Sequence, residues 1–186
     1  MTQDYLNHQF LIAMPMLADT NFSHTVTYLC QHNEEGALGI VINRPSGLTL
    51  DMIFGQMDIE TGSEEIANTP VYAGGPVQQQ RGFIIHTGPK TWEATVPVSD
   101  ETYLTSSRDI LEAIAAGEGP EHFLVALGYA GWGEGQLEKE IAENAWLNTD
   151  YDHKILFDIA PKQRWIAAAS QLGVDINKLT TPAGHA

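Results

Sequence analysis

Four glycines within eight residues, Gly128, Gly131, Gly133 and Gly135, separate an apolar run from a helical one, and this junction limits how the chain can fold. Ahead of it, residues 122–127 (His-Phe-Leu-Val-Ala-Leu) carry strand patterning that the sequence ends at Gly128. Beyond it, Leu137, Ile141 and Ala145 recur at four-residue spacing, which places them on one helical stripe while Glu138, Lys139 and Glu143 face water. Glycine between a strand and a helix permits positive φ or close approach of another segment. The early glutamates suit the positive end of a helix dipole. The sequence therefore predicts a strand end, a glycine corner and a helix across residues 127–146.

The rest of the chain supplies partners for this junction. Residues 8–15 form an apolar strand closed by Pro15, and residues 25–32 alternate as a half-buried strand does. A turn at 33–36 returns the chain along 37–43, predicting an antiparallel hairpin. Pro45 cannot donate into a ladder, so the strand ends there. Leu50, Ile53, Phe54 and Met57 have helical spacing, whereas residues 58–69 hold Asp58, Glu60, Glu64 and Glu65 without a basic residue and read as an exposed loop. Residues 70–73 and 81–86, joined by Gly74-Gly-Pro-Val77, read as a second hairpin, followed by a loop at 87–97. Ser106 or Ser107 caps a helix that buries Ile110, Leu111, Ile114 and Ala115. Residues 154–157 read as a short strand. Pro161 opens a last helix lined by Trp165, Ala168, Ala169 and Leu172 and stopped by Gly173, and residues 180–186 are expected to be loosely held. With no internal repeat or low-complexity linker, and 186 residues at 43% hydrophobic content, residues 1–186 read as a single α/β-type domain with one core.

Charge and motif content narrow the chemistry. Nine Lys+Arg against 24 Asp+Glu give a net charge of −15, which disfavours direct nucleic-acid binding, and the basic residues Arg81, Arg108, Lys162 and Arg164 are scattered. Cys30 is the only cysteine, so an internal disulfide and a cysteine zinc site are both excluded within one chain. The apolar run at 10–17 is too short to span a bilayer and follows no basic segment, so the expected location is the cytoplasm, without a membrane partner. Gly131-x-Gly133-x-Gly135 lacks dinucleotide-fingerprint spacing, and P-loop, His-Glu-x-x-His and Gly-x-Ser-x-Gly signatures are missing. No cofactor, metal or catalytic set is expected on these grounds.

Individual residues carry paired readings. Cys30 lies mid-strand among apolar neighbours, as an inert thiol does. His24 and His32 are separated by ~26 Å of continuous strand, too far to share an ion. His86, before a Gly-Pro turn, is either a functional residue or an imidazole bonded to a turn carbonyl. Glu138 and Glu140 lie about 200° apart around a helix and cannot act as a pair. Gln136 and Glu140 share a face, and with Trp132 they either close a polar pocket or bond to nearby backbone. Trp132 reads as core or as pocket, and Trp146 as core. The candidate pocket is Asn43, Gly74, Gly75, His86, Trp132, Gln136 and Glu140.

Several segments taken together add a resemblance. Phe10-Leu-Ile-Ala-Met-Pro15, Gly36-Ala-Leu-Gly-Ile-Val-Ile-Asn-Arg-Pro45, Gly74-Gly-Pro-Val77 with Arg81-Gly-Phe-Ile-Ile-His86, and Thr105-Ser-Ser-Arg-Asp109 form its first part. Leu127-Gly-Tyr-Ala-Gly-Trp132, Gln136-Leu-Glu138, Asn144-Ala-Trp-Leu147, Arg164-Trp165 and Ala183-Gly-His-Ala186 complete it. In order and spacing they resemble the bacterial AlgH/YqgE family nearly end to end, with residues 58–69 and 87–99 outside the likeness. The resemblance implies an α/β, α+β-like domain on an antiparallel-rich mixed sheet, partly barrel-like and flanked by helices. Members are labelled transcriptional regulators, and no catalytic set comes with the family. Two functional expectations follow. One is a regulatory or ligand-binding or protein-binding domain that affects transcription indirectly, through a protein or small molecule and without direct DNA binding. The other is a small hydrolase or transferase using His86 or Glu140 near residues 74–77.

Overall fold

Alternating apolar residues set the strands, and a few glycines decide where the strands cross. The computed structural model describes residues 5–15, 17 and 22–175. Within these, the strands are β1 (Gln9–Ala13), β2 (Val26–Asn33), β3 (Gly36–Val41), β4 (Pro45–Thr49), β5 (Pro70–Ala73), β6 (Val77–Thr87), β7 (Thr95–Pro97), β8 (Thr102–Thr105), β9 (Phe123–Trp132) and β10 (Trp146–Asp150). The helices are α1 (Leu50–Gln56), α2 (Glu64–Ala67), α3 (Arg108–Ala115), α4 (Gln136–Ala142) and α5 (Pro161–Ser170), with a π-helical turn at Lys154–Asp158.

The strands lie in the order β10-β1-β2-β3-β9-β6-β8-β7, with β5 also on β9 and β4 on β5. Every pairing among them is antiparallel except β5 with β9. The mixed sheet curls into a half-barrel with helices against it, as the resemblance implies. Strand β9 organises it. One edge of β9 takes β5 at Val125–Leu127 and β3 at Ala130–Trp132, while the other takes β6 at Phe123–Leu127.

That arrangement corrects the second predicted hairpin. Strands β5 and β6 do not pair; β9 lies between them, and Gly74-Gly75 carries the chain across it. A Cβ on Gly74 would lie 2.4 Å from Gly128 O, and one on Gly75 would lie 2.1 Å from Tyr129 C, so neither position admits a side chain. Gly128 faces them with φ +79 and continues the strand rather than ending it. Opposite this kink the β6 register shifts between Val77 and Gly82, and residues 78–81 swing out of the ladder.

Strand alternation divides the buried side chains among three clusters. Phe10, Ile12, Tyr28, Phe83 and Ile85 fill one side of the sheet, closed by Trp165, Ala168 and Ala169 of α5. Ile84, between Phe83 and Ile85, points the other way and packs with Val71 and Val125 under α1 and α3. Leu11, Leu29, Ala130, Trp132, Leu137 and Trp146 form the third cluster beneath α4.

Local expectations hold where neighbours in sequence decide them. The β2–β3 hairpin forms, α3 buries Ile110, Leu111, Ile114 and Ala115, and α5 begins at Pro161. Others need correction. Helix α4 ends at Ala142, because Asn144 turns left-handed (φ +63), and Trp146 begins edge strand β10 beside β1. Residues 154–157 belong to the π-helical turn, not to a strand. The acidic stretch contains α2, whose cap Ser63 accepts from Ile66 N at 3.2 Å. Glu138 is half-buried, 3.3 Å from His32 Nε2, rather than directed to water. Leu172 lies past the end of α5 and is 42% exposed. Residues 180–186 lie outside the described residues. Among those described, no helix is long and apolar enough to cross a membrane.

Candidate functional site

The seven residues of the candidate pocket do not form one site. His86 pairs with Phe123 at the start of β9, and Trp132 ends the same strand, nine residues and up to about 30 Å away. Gly74 and Gly75 are filled by the backbone crossing. Asn43 ties two strands together, its Oδ1 accepting from Val26 N and its Nδ2 donating to His24 O, each at 2.9 Å.

Trp132, Gln136 and Glu140 do meet, but as a clasp. The indole N–H groups of Trp132 and Trp146 both donate to Glu140 Oε1 at 3.0 Å. Gln136 Nε2 donates to Glu140 Oε2 at 2.8 Å, and Gln136 Oε1 accepts from Gly133 N at 2.9 Å. One carboxylate thus satisfies two buried indoles and, through Gln136, closes the glycine corner onto the first turn of α4. Three hydrogen bonds thus commit both carboxylate oxygens to the fold.

His86 is fully buried and equally committed. Its Nδ1 bonds to Thr87 O at 2.8 Å, which requires the proton on Nδ1, since a carbonyl only accepts. Nε2 must then accept from the Thr105 hydroxyl at 2.7 Å. Thr105 in turn accepts from Thr95 Oγ1 at 2.7 Å, and Thr95 from Trp92 N at 2.7 Å. Of the two readings of His86, this is the structural one. Burial lowers its pKa, against the smaller opposing effect of the Thr87 carbonyl. A depressed folded-state value means the unfolded chain binds the proton more readily. The contribution is complete above the unfolded pKa of about 6.5 and is lost as pH falls below it. Urea unfolding between pH 7 and pH 5 should show stability falling, with one histidine contributing at most ~1.4 kcal/mol per pH unit. The slope should flatten in His86→Gln; an unchanged slope would mean other groups set it.

Cys30 is buried, and that burial pushes its thiol far up, which leaves it inert. Arg164 is buried too, lying 5.2 Å over the Tyr72 ring and donating to Ile42 O, so it is withheld from any basic face. His122, His153 and Asp158 gather where β9 begins.

Space for a ligand lies elsewhere. Between α1, α3 and the outswung part of β6 is a cavity of about 580 Å³. Its apolar floor includes Ile53, Ile84, Leu111 and Leu127, and its rim carries Gln79, Gln80, Ser106, Ser107 and Arg108. Arg81 reaches the rim by donating to Ser106 Oγ at 3.2 Å. Burial pulls Asp109 upward, but hydrogen bonds from the Ser107 hydroxyl and the Glu93 and Ile110 backbone outweigh it and hold the carboxyl below its ordinary range. It therefore stays ionised and fixes Ser107 at the mouth. A second hollow of about 470 Å³ lies over β3 and β9 beside Trp132 and Tyr129, and includes none of the other six predicted residues. The α1–α3 cavity escaped sequence reasoning because its wall comes from four separated segments. The one local signal was Gln78-Gln79-Gln80, three polar residues that break strand alternation.

The chain has close relatives. A UPF0301 protein of Thioalkalivibrio sulfidiphilus is 58% identical over 179 residues, covering 96% of each chain. A UPF0301 protein of Methylococcus capsulatus is 54% identical over 182 residues, covering 98% of this chain and 97% of its own. The solution structure of the AlgH protein from Pseudomonas aeruginosa superposes with a TM-score of 0.81 at 49% identity, covering all of both chains. A Corynebacterium diphtheriae protein shares the fold at 16% identity, with a TM-score of 0.73 over 97% of this chain and 94% of its own. The family profile described as DUF179, AlgH-like, matches residues 10–177, and the chain belongs to the AlgH-like family.

Proposed function

We propose that this chain is a non-catalytic binding domain whose ligand is a small amphipathic molecule with an apolar body and an anionic or hydrogen-bond-accepting head. The observation that carries the reading is the α1–α3 cavity, which has the size and lining of small-molecule sites. Ile53, Ile84, Leu111 and Leu127 receive the apolar body, and the Ser106 hydroxyl and the Arg108 guanidinium receive the head, the Ser107 hydroxyl being already donated to Asp109. Arg108 spends Nη2 on Met57 O at 2.6 Å and has Glu112 only at 3.8 Å from Nε, which leaves further N–H groups to point at an acceptor. The hydrolase or transferase reading loses support, because both residues it rested on are held in hydrogen bonds of the fold. Any effect on transcription runs through this ligand or a protein partner, because a chain of net charge −15 repels the phosphates of DNA.

Gly82 gives a direct test. It lines the cavity, a Cβ there would meet nothing within 4 Å, and its φ is not positive, so Gly82→Phe fills the space without removing a contact. With anilinonaphthalene sulfonate, an apolar body bearing one anionic head, the parent chain should bind one equivalent. Gly82→Phe should lose about tenfold or more in affinity, or roughly 1.4 kcal/mol, at an unchanged melting temperature. Equal binding by both proteins would reject this cavity as the site.

A further inference from the structure

We propose that His122, His153 and Asp158 form a site for a divalent transition-metal ion at the corner between β9 and the π-helical turn. One candidate ligand atom from each residue lies within 4.8 Å of the others. The sheet fixes the first of them: His122 directly precedes β9, and its carbonyl accepts from Thr87 N at 3.1 Å. The other two bracket the π-helical turn, in which Ile159 N donates to Lys154 O at 2.9 Å across five residues. The same five-residue step separates His153 from Asp158, so the turn brings an imidazole and a carboxylate to one side. Single π-type turns recur at functional sites.

The surroundings hold the donors in place. The two imidazole rings meet edge to face, with centroids 4.6 Å apart and planes at 88°. Phe157 packs against both, at 5.8 Å from His122 and 5.1 Å from His153, and forms an apolar wall behind them. Both histidines are half-buried, yet among the described residues none of the three side chains makes a hydrogen bond to the protein. The nearest opposite charge is Glu121 Oε1, 3.8 Å from His122 Nε2. A tetrahedral ion with ligands at about 2.0–2.2 Å needs donor atoms ~3.4 Å apart, which side-chain rotation supplies from this starting point. Two imidazole nitrogens and one carboxylate, without a thiolate, match zinc, nickel, copper or ferrous iron rather than magnesium or calcium. Three protein ligands leave a coordination position toward solvent, on the side where Asp158 is exposed. The bound ion would staple the π-helical turn to the start of β9, at the end of the sheet away from the Glu140 clasp.

The test uses the full chain, treated with chelator and titrated with Zn²⁺ alone by calorimetry. One equivalent should bind, and the melting temperature should rise with it. His122→Gln and His153→Gln should each weaken binding by more than ~100-fold, since even the groups that merely support metal ligands are worth about 10–100-fold. Asp158→Asn should weaken it in the same direction, and His24→Gln should not change it. A readout free of mutagenesis guards against misfolded variants. Of the seven histidines, only the ring ¹⁵N shifts of His122 and His153 should move on adding one equivalent of Zn²⁺. Absence of stoichiometric binding, binding that survives both histidine substitutions, or shifts at other imidazoles would each overturn the proposal.

Discussion

Gly75→Ala should leave little folded protein. At φ +154 the new Cβ would lie 2.1 Å from Tyr129 C, 2.2 Å from Tyr129 O and 2.4 Å from Ala130 N, all backbone atoms of β9 that cannot rotate away. The only relief is to lift the crossing off the sheet. That breaks the bonds of Gly74, whose N–H donates to Leu127 O at 2.8 Å and whose carbonyl accepts from Val41 N at 2.9 Å. Strain and lost ladder bonds together should exceed ~4 kcal/mol, among the largest effects of single substitutions, against a total stability of about 5–15 kcal/mol. Gly62→Ala is the control, since a Cβ there meets nothing within 4 Å and no positive φ is involved. Urea midpoints compare the two, and equal midpoints would show that the chain does not cross β9 this closely.

Glu140→Ala should cost about 3 kcal/mol or more, with the main loss at the corner between β9 and α4. The substitution leaves the indole N–H groups of Trp132 and Trp146 without their acceptor, in rings that are 6% and 2% exposed. Hydrogen bonds to a charged partner contribute about 1.5–3 kcal/mol each, and release of Gln136 adds to that loss. Glu140→Gln should cost less, about 1–2 kcal/mol, because its amide oxygen still accepts while its NH₂ meets the NH₂ of Gln136. Denaturant unfolding gives the magnitudes, and the two indole N–H resonances report the site. If Glu140→Ala were as stable as the parent, the carboxylate would be free for another role, and the chemical reading of this corner would return.

Glu140 falls in the stretch that the sequence marks most clearly and Gly75 packs against it, and together they show what that stretch can and cannot disclose. Leu137, Ile141 and the Gln136/Glu140 face follow from helical spacing, and the structure brings Trp132 together with Gln136 and Glu140 in hydrogen bonds. The meaning of that grouping depends on Trp146, which helical patterning assigns to α4 but left-handed Asn144 releases into β10. In the same way, Gly74-Gly75 looks like a hairpin turn to any local reading. The reason for those glycines is Gly128, which lies on a strand formed much later in the chain. The β2–β3 hairpin, α3 and α5 are legible because their determinants are neighbours. The structural reading of His86 prevails only once Thr105 and Thr95, on β8 and β7, are beside it. The family resemblance carries the half-barrel architecture but no residue of the α1–α3 cavity as such.

In the proposed reading, the residues resembling catalytic groups belong to the fold and ligand chemistry belongs to the α1–α3 cavity. Amide chemical-shift mapping with anilinonaphthalene sulfonate tests this most directly. The largest perturbations should fall on residues 53–57, 79–84 and 106–111, and they should vanish in Gly82→Phe. Perturbations centred instead on residues 31–38 and 129–132, or around His86, would contradict it.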